Sequence, residues 1–192
     1  MKVFGIILLF ILIPLESFAE EGGELRNGWG LIEAKEWSAF VNNPNQENYF
    51  ALGKLINECR IGNEECEKEL NPHYSRSQKL FALVKLGNRK AIDIAFASLR
   101  ILGGGEFGDA TRALGYLIES DPELFLRKIR SHAIPLIIME KIVIRTPLEL
   151  TDQFDLQLRI LQKRLKSMSS LKLNDPFLSL NKDICIKALQ GK

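Results

Sequence analysis

Cys59 and Cys66 are the pair whose spacing could do covalent chemistry. They stand seven positions apart, and Gly62-Asn63 between them is a turn signal. On one continuous helix that separation spans about 10.5 Å, whereas a disulfide needs its Cα atoms within about 7 Å. A Cys59–Cys66 bridge therefore requires the helix to stop near Gly62, which these residues permit. Closing so small a loop would stabilise the fold by about 2–3 kcal/mol in the chain-entropy view. Cys185 is left over. It lies among Ile184, Ile186, Ala188 and Leu189, surroundings that favour a buried free thiol of raised pKa over a nucleophile. His73 and His132 are far apart, and neither has a second His or Cys at ligand spacing. A zinc site takes three or four such ligands, so no metal is expected, and both histidines read as surface or cap residues. Gly103, Gly105 and Gly108 match Gly-x-Gly-x-x-Gly. A phosphate-binding turn of that form needs a strand before it and a helix after it. Ala91 to Leu102 has helical spacing instead, so the glycines read as a helix stop and tight turn, and no cofactor is expected.

The elements that would position these residues are helical throughout. Lys2, the apolar run Val3 to Leu15 and the small residues of Ser17-Phe18-Ala19 compose a secretory signal peptide cut after Ala19. The run is too short for the roughly 20 residues of a membrane-spanning helix. Residues 20–27 are polar and Gly-rich, a flexible mature start, and 28–192 form a single domain large enough for a real core. Helices are expected from Trp29 to Val41, from Asn45 to about Arg60, as a short turn at Glu64 to Leu70, and from Pro72 to Leu86. Gly87 and Asn88 then stop and recap the chain, and the next helix runs to Leu102. Phe107, Ala110, Leu114, Leu117 and Ile118 mark another, closed by Asp121-Pro122, which also starts the helix to Arg130. His132 to Arg145 is expected to be helical, although Ile142, Val143 and Ile144 favour a strand by propensity. Thr151 is placed as the cap of an amphipathic helix to Met168, with a narrow apolar seam of Phe154, Leu158, Leu161, Leu165 and Met168. Arg159, Lys163, Arg164 and Lys166 surround that seam. Asp175-Pro176 opens a last helix to Gln190.

The result is an all-α domain of about nine helices after the signal peptide. Leu80-Phe81-Ala82-Leu83-Val84-Lys85-Leu86-Gly87-Asn88-Arg89-Lys90-Ala91-Ile92 resembles the helix-turn-helix of HEAT-like repeats, and Asp109-Ala110-Thr111-Arg112-Ala113-Leu114 is similar to the start of an inner helix of that kind. The resemblance covers residues 78–130, under a third of the chain, and no full repeat of about 40 residues recurs. Two architectures stay open, an irregular helical bundle and a short HEAT-like stack of antiparallel helices. Such stacks usually bind other proteins.

Glu119-Ser120 resembles the Glu-Ser pair of goose-type and soluble lytic transglycosylases, where a lone glutamic acid protonates a glycosidic bond. Their pattern continues with a Gly-containing, Met-Gln-bearing segment, where this chain has Asp121-Pro122-Glu123-Leu124-Phe125. Glu119 is better read as the last polar residue of its helix, and no catalytic residue is assigned. With 26 Lys and Arg against 24 Asp and Glu, the net charge of +2 calls for no nucleic acid. The Glu64, Glu65, Glu67 and Glu69 cluster and the basic residues Arg127, Lys128, Arg130 and Arg159 to Lys166 read as solvated faces. What remains is an exported, non-catalytic helical protein, periplasmic or secreted, with no membrane span in its mature part and a protein or envelope polymer as partner. A cell-wall enzyme using Glu119 and a structural envelope component are the alternatives.

Overall fold

The computed structural model describes residues 34–59, 70, 72 and 74–191. The expected signal peptide, the mature start at 20–27, Cys66 and His73 lie outside the described residues. Among those described there are nine α-helices and no strand, as expected for an all-α domain. They are α1 (Lys35–Asn42), α2 (Gln46–Glu58), α3 (Tyr74–Lys85), α4 (Arg89–Ser98), α5 (Gly104–Ser120), α6 (Pro122–Ser131), α7 (Leu136–Ile144), α8 (Phe154–Ser170) and α9 (Pro176–Leu189). A single 3₁₀ turn, Leu148–Leu150, precedes α8.

Local side chains set most helix starts. The Oδ1 atoms of Asn45, Asn88 and Asp121 accept from the backbone N–H three residues on, at 2.9, 3.0 and 3.0 Å. Asp175 accepts from both Phe177 and Leu178. Each satisfies a donor that the first helical turn leaves open, worth about 1 kcal/mol. Pro122 and Pro176 follow their aspartates at the first helical position, where proline loses no hydrogen bond.

The helices α3 and α6 end in the same way with different residues. Gly87 stands at φ 77°, and Asn88 N–H reaches back to the Leu83 carbonyl at 3.0 Å. Ala133 stands at φ 47° after α6, and Ile134 N–H reaches the Ile129 carbonyl at 3.0 Å. Both are αL stops, but the second places a methyl-bearing residue where glycine is the unstrained choice.

Two expected boundaries are corrected. The glycine triplet does not end the preceding helix. That helix stops at Ser98, and Gly103 caps α5 while Gly104 and Gly105 lie inside its first turn. Thr151 does not cap α8. Its hydroxyl donates to the Leu148 carbonyl at 2.6 Å, closing the 3₁₀ turn, and α8 begins only at Phe154. A Thr hydroxyl can serve either backbone direction, so a cap and an ST-type turn look alike from the residue type alone.

α5 is the centre of the domain. It packs against α3, α4, α6, α7 and α8. Its inward face, Ala110, Ala113, Leu114, Leu117 and Ile118, is buried, and each large side chain there contributes roughly 1.5–3 kcal/mol. α3 with α4 and α5 with α6 form two helical pairs lying side by side. Among the described residues no repeat continues beyond them: α7 and α8 close over α5, and α9 packs across α6, α7 and α8. At the other end Asn48 ties α1 to α2 by donating to the Ala39 and Asn43 carbonyls. The buried indole of Trp37 donates to the Leu70 carbonyl at 2.7 Å.

Candidate functional site

The residues singled out for chemistry are taken up by the fold. Glu119 ends α5 with only 12% of its side chain exposed, and both carboxylate oxygens meet cations: Arg164 Nε at 3.3 Å and Lys163 Nζ at 3.1 Å. Cys185 is fully buried and free, and burial pushes its thiol up to about 12. Cys59 is buried at the end of α2 and is not among the free thiols; its expected partner, Cys66, is outside the described residues. Gly103, Gly105 and Gly108 follow a helix and a turn rather than a strand. Among the described residues no three His, Cys, Asp or Glu side chains converge as a metal site would require.

Two polar clusters that residue types did not reveal hold the helices in place. Asp93 on α4 accepts from Tyr49 of α2 and from Lys128 of α6, and His132 Nε2 stands 2.8 Å from its Oδ1. His132 is the cap residue that ends α6, half-buried rather than at the surface, with its ring stacked on Phe96 at 5.8 Å between centroids. The second cluster centres on Arg164 of α8, which is 0% exposed. Its Nη1 donates to the carbonyls of Val143 at 2.9 Å and Arg145 at 2.7 Å, at the open C-terminal end of α7. Its Nε meets Glu119. Its Nη2 lies against Gly115, where a Cβ would come within 2.6 Å. Gly115 is therefore the notch in α5 that admits the guanidinium. Sequence reading counted Arg164 with its solvated neighbours; the trace of its burial is this small residue on a different helix.

The surface that the fold leaves unexplained is the start of α8. The expected seam is packed only in its second half: Met168 is buried and Leu161 and Leu165 are half-buried, while Phe154 is 74% and Leu158 55% exposed. α8 packs against α5, α9 and the 3₁₀ turn, and its buried residues, Arg164 and Met168, lie in its later turns. Leu148 in that turn is 58% exposed as well. It forms one wall of a groove of about 290 Å³ whose other walls come from α3 and α5. There Asp109 is held by Arg112 at 3.1 Å and by Gln78 at 2.9 Å, and Lys85 stands 5.0 Å over the Tyr116 ring. Charges flank the apolar strip, with Glu149, Asp152 and Asp155 at its start and Arg159 beyond Leu158.

Comparison of the chain with protein-family models, with curated proteins and with solved structures found no match. Among the described residues no helix is long and apolar enough to cross a membrane.

Proposed function

We propose that this chain is an exported, non-catalytic helical protein that binds a protein or envelope polymer through the start of α8 and the adjoining groove. The observation that carries the reading is the exposure of Phe154 and Leu158, two large apolar side chains one helical turn apart. Contiguous large apolar groups on a surface mark interaction sites, and Glu119, engaged by two cations, supports a structural role for that residue. The side-by-side helical pairs of residues 78–130 suit a HEAT-like scaffold for such binding.

The double substitution Phe154→Ser with Leu158→Ser tests the surface. Both positions are exposed, so thermal unfolding should move by less than about 0.5 kcal/mol. Recovery of the bound macromolecule from cross-linked envelope material should drop at least about tenfold, the loss of roughly 1.4 kcal/mol expected when such anchors are removed. Undiminished recovery would remove this surface from the account. A structural envelope component would instead show concentration-dependent self-association abolished by the same pair. A cell-wall enzyme would digest peptidoglycan and stop on Glu119→Gln.

Export carries its own test. Protein recovered from the envelope should begin at Glu20, and its non-reducing peptide map should link Cys59 to Cys66. A chain beginning at Met1 with three free thiols would contradict export.

A further inference from the structure

A second concavity lies away from the α8 surface. It has a volume of about 600 Å³ and opens between the end of α2, the end of α4 and the turn joining α6 to α7. That size falls within the range of small-molecule sites. Its walls divide by chemistry. Phe96, Ile134, Pro135 and Ile138 supply an apolar lining, and Arg100 and His132 are the ionisable side chains on it.

The lining is held from behind. The His132 ring stacks on Phe96 with 16° between planes, and Asp93 fixes its Nε2. Asp93 is itself occupied by Lys128 and Tyr49, and Lys128 offsets its charge. The turn that carries Ile134 and Pro135 rests on Ala133 at φ 47°, a left-handed conformation that an alanine keeps only under surrounding constraint.

Arg100 is engaged through backbone alone among the described residues. One guanidinium N–H donates to the Ile56 carbonyl, and no carboxylate among the described residues pairs with it. A guanidinium presents five donors in a planar fork matched to a carboxylate. Here that fork stands beside an apolar recess.

We propose that this cavity binds a small amphiphile, a medium-length apolar chain bearing one carboxylate. The chain lies over Phe96, Ile134 and Ile138, and the carboxylate pairs with Arg100. The site is separate from the α8 surface and does not depend on the role proposed there.

The experiment displaces 8-anilinonaphthalene-1-sulfonate from the mature protein with decanoate, decanol and decylamine, which share a chain and differ in head-group charge. Decanoate should bind about tenfold more tightly than decanol, in line with a charge-assisted bidentate contact, and decylamine should bind most weakly. In Arg100→Gln, an exposed position, the ratio of decanoate to decanol affinity should fall towards one, while thermal unfolding falls only by the loss of the Ile56 contact. Ile138→Trp fills the recess and should abolish displacement by both. If that variant disturbs the fold, Arg100→Gln still decides the matter. Equal affinities in the native protein, a preference that survives Arg100→Gln, or no displacement by millimolar decanoate would each overturn the proposal. Loss of binding in Phe154→Ser with Leu158→Ser would do so too, by locating the amphiphile on α8.

Discussion

Replacing Arg164 with methionine is expected to destabilise the domain by about 3–5 kcal/mol. Methionine nearly preserves the length and apolar stem of arginine, so the loss isolates the guanidinium. In the native fold that group is wholly buried. Burial holds its pKa below the ordinary guanidinium value, with Glu119 opposing, which shows that the site imposes a desolvation cost. The hydrogen bonds offset it. Val143 and Arg145 offer carbonyls at the end of α7 that have no helical partner, and Arg164 supplies donors and positive charge to both. Without it those carbonyls stay buried and unpaired, and Glu119 keeps Lys163 alone. Lysine at 164 should recover little, because one ammonium cannot reproduce the fork that serves α5 and α7 together. Urea unfolding followed by circular dichroism measures the change; a loss under about 1 kcal/mol would mean that α7 and α8 are held by apolar packing instead.

Asp93→Asn is the second large effect, about 2–3 kcal/mol at neutral pH, because three donors lose their charged acceptor at a half-buried position. This loss depends on pH. Hydrogen bonding from His132, with Lys128 and Tyr49 adding to it and burial opposing, holds the Asp93 carboxyl well below the usual carboxylate range. A group whose folded pKa is depressed adds stability above its unfolded value, near 4, and loses it as pH falls towards the folded one. The gap between native protein and Asp93→Asn should thus be steady from pH 5 to 7 and shrink below about pH 4. Tyr49 acts with the opposite sign. The Asp93 carboxylate it donates to raises its phenol to about 12. That contribution is complete below about pH 10, the unfolded value, and is lost as pH rises through about 12. Tyr49→Phe should remove this alkaline dependence. Unfolding free energies at a series of pH values decide both; a gap for Asp93→Asn that stayed constant from pH 7 to pH 2 would contradict the linkage.

These two clusters mark where sequence reading stopped. Asn45, Asn88, Asp121 and Asp175 were legible because a cap acts on backbone three residues away. The α5 face was legible because Ala110, Leu114, Leu117 and Ile118 repeat with the helical period. Asp93 and Arg164 are different in kind. Their partners lie 19 to 45 residues away along the chain, and residue type alone places an isolated charge in solvent. Gly115, and likewise Gly108 packed beside Arg112 and Arg145, carry the only local sign that arginines approach α5 closely. The extent to which the α8 seam is covered was not legible for a related reason. Its four-and-three spacing correctly gives an amphipathic helix, but spacing cannot say how far a neighbouring helix extends along it. Phe154 and Leu158 belong to the apolar seam and are exposed, and that exposure located the candidate surface.

The proposal that the start of α8 is a binding face is tested most directly by site-specific photo-cross-linking in intact cells. A benzophenone side chain would replace Phe154 or Leu158 in turn, with Phe50, 62% exposed on α2, as the control. The account predicts one discrete adduct of defined mass at both α8 positions and none at Phe50. No adduct at either α8 position, or the same adducts at all three, would contradict it.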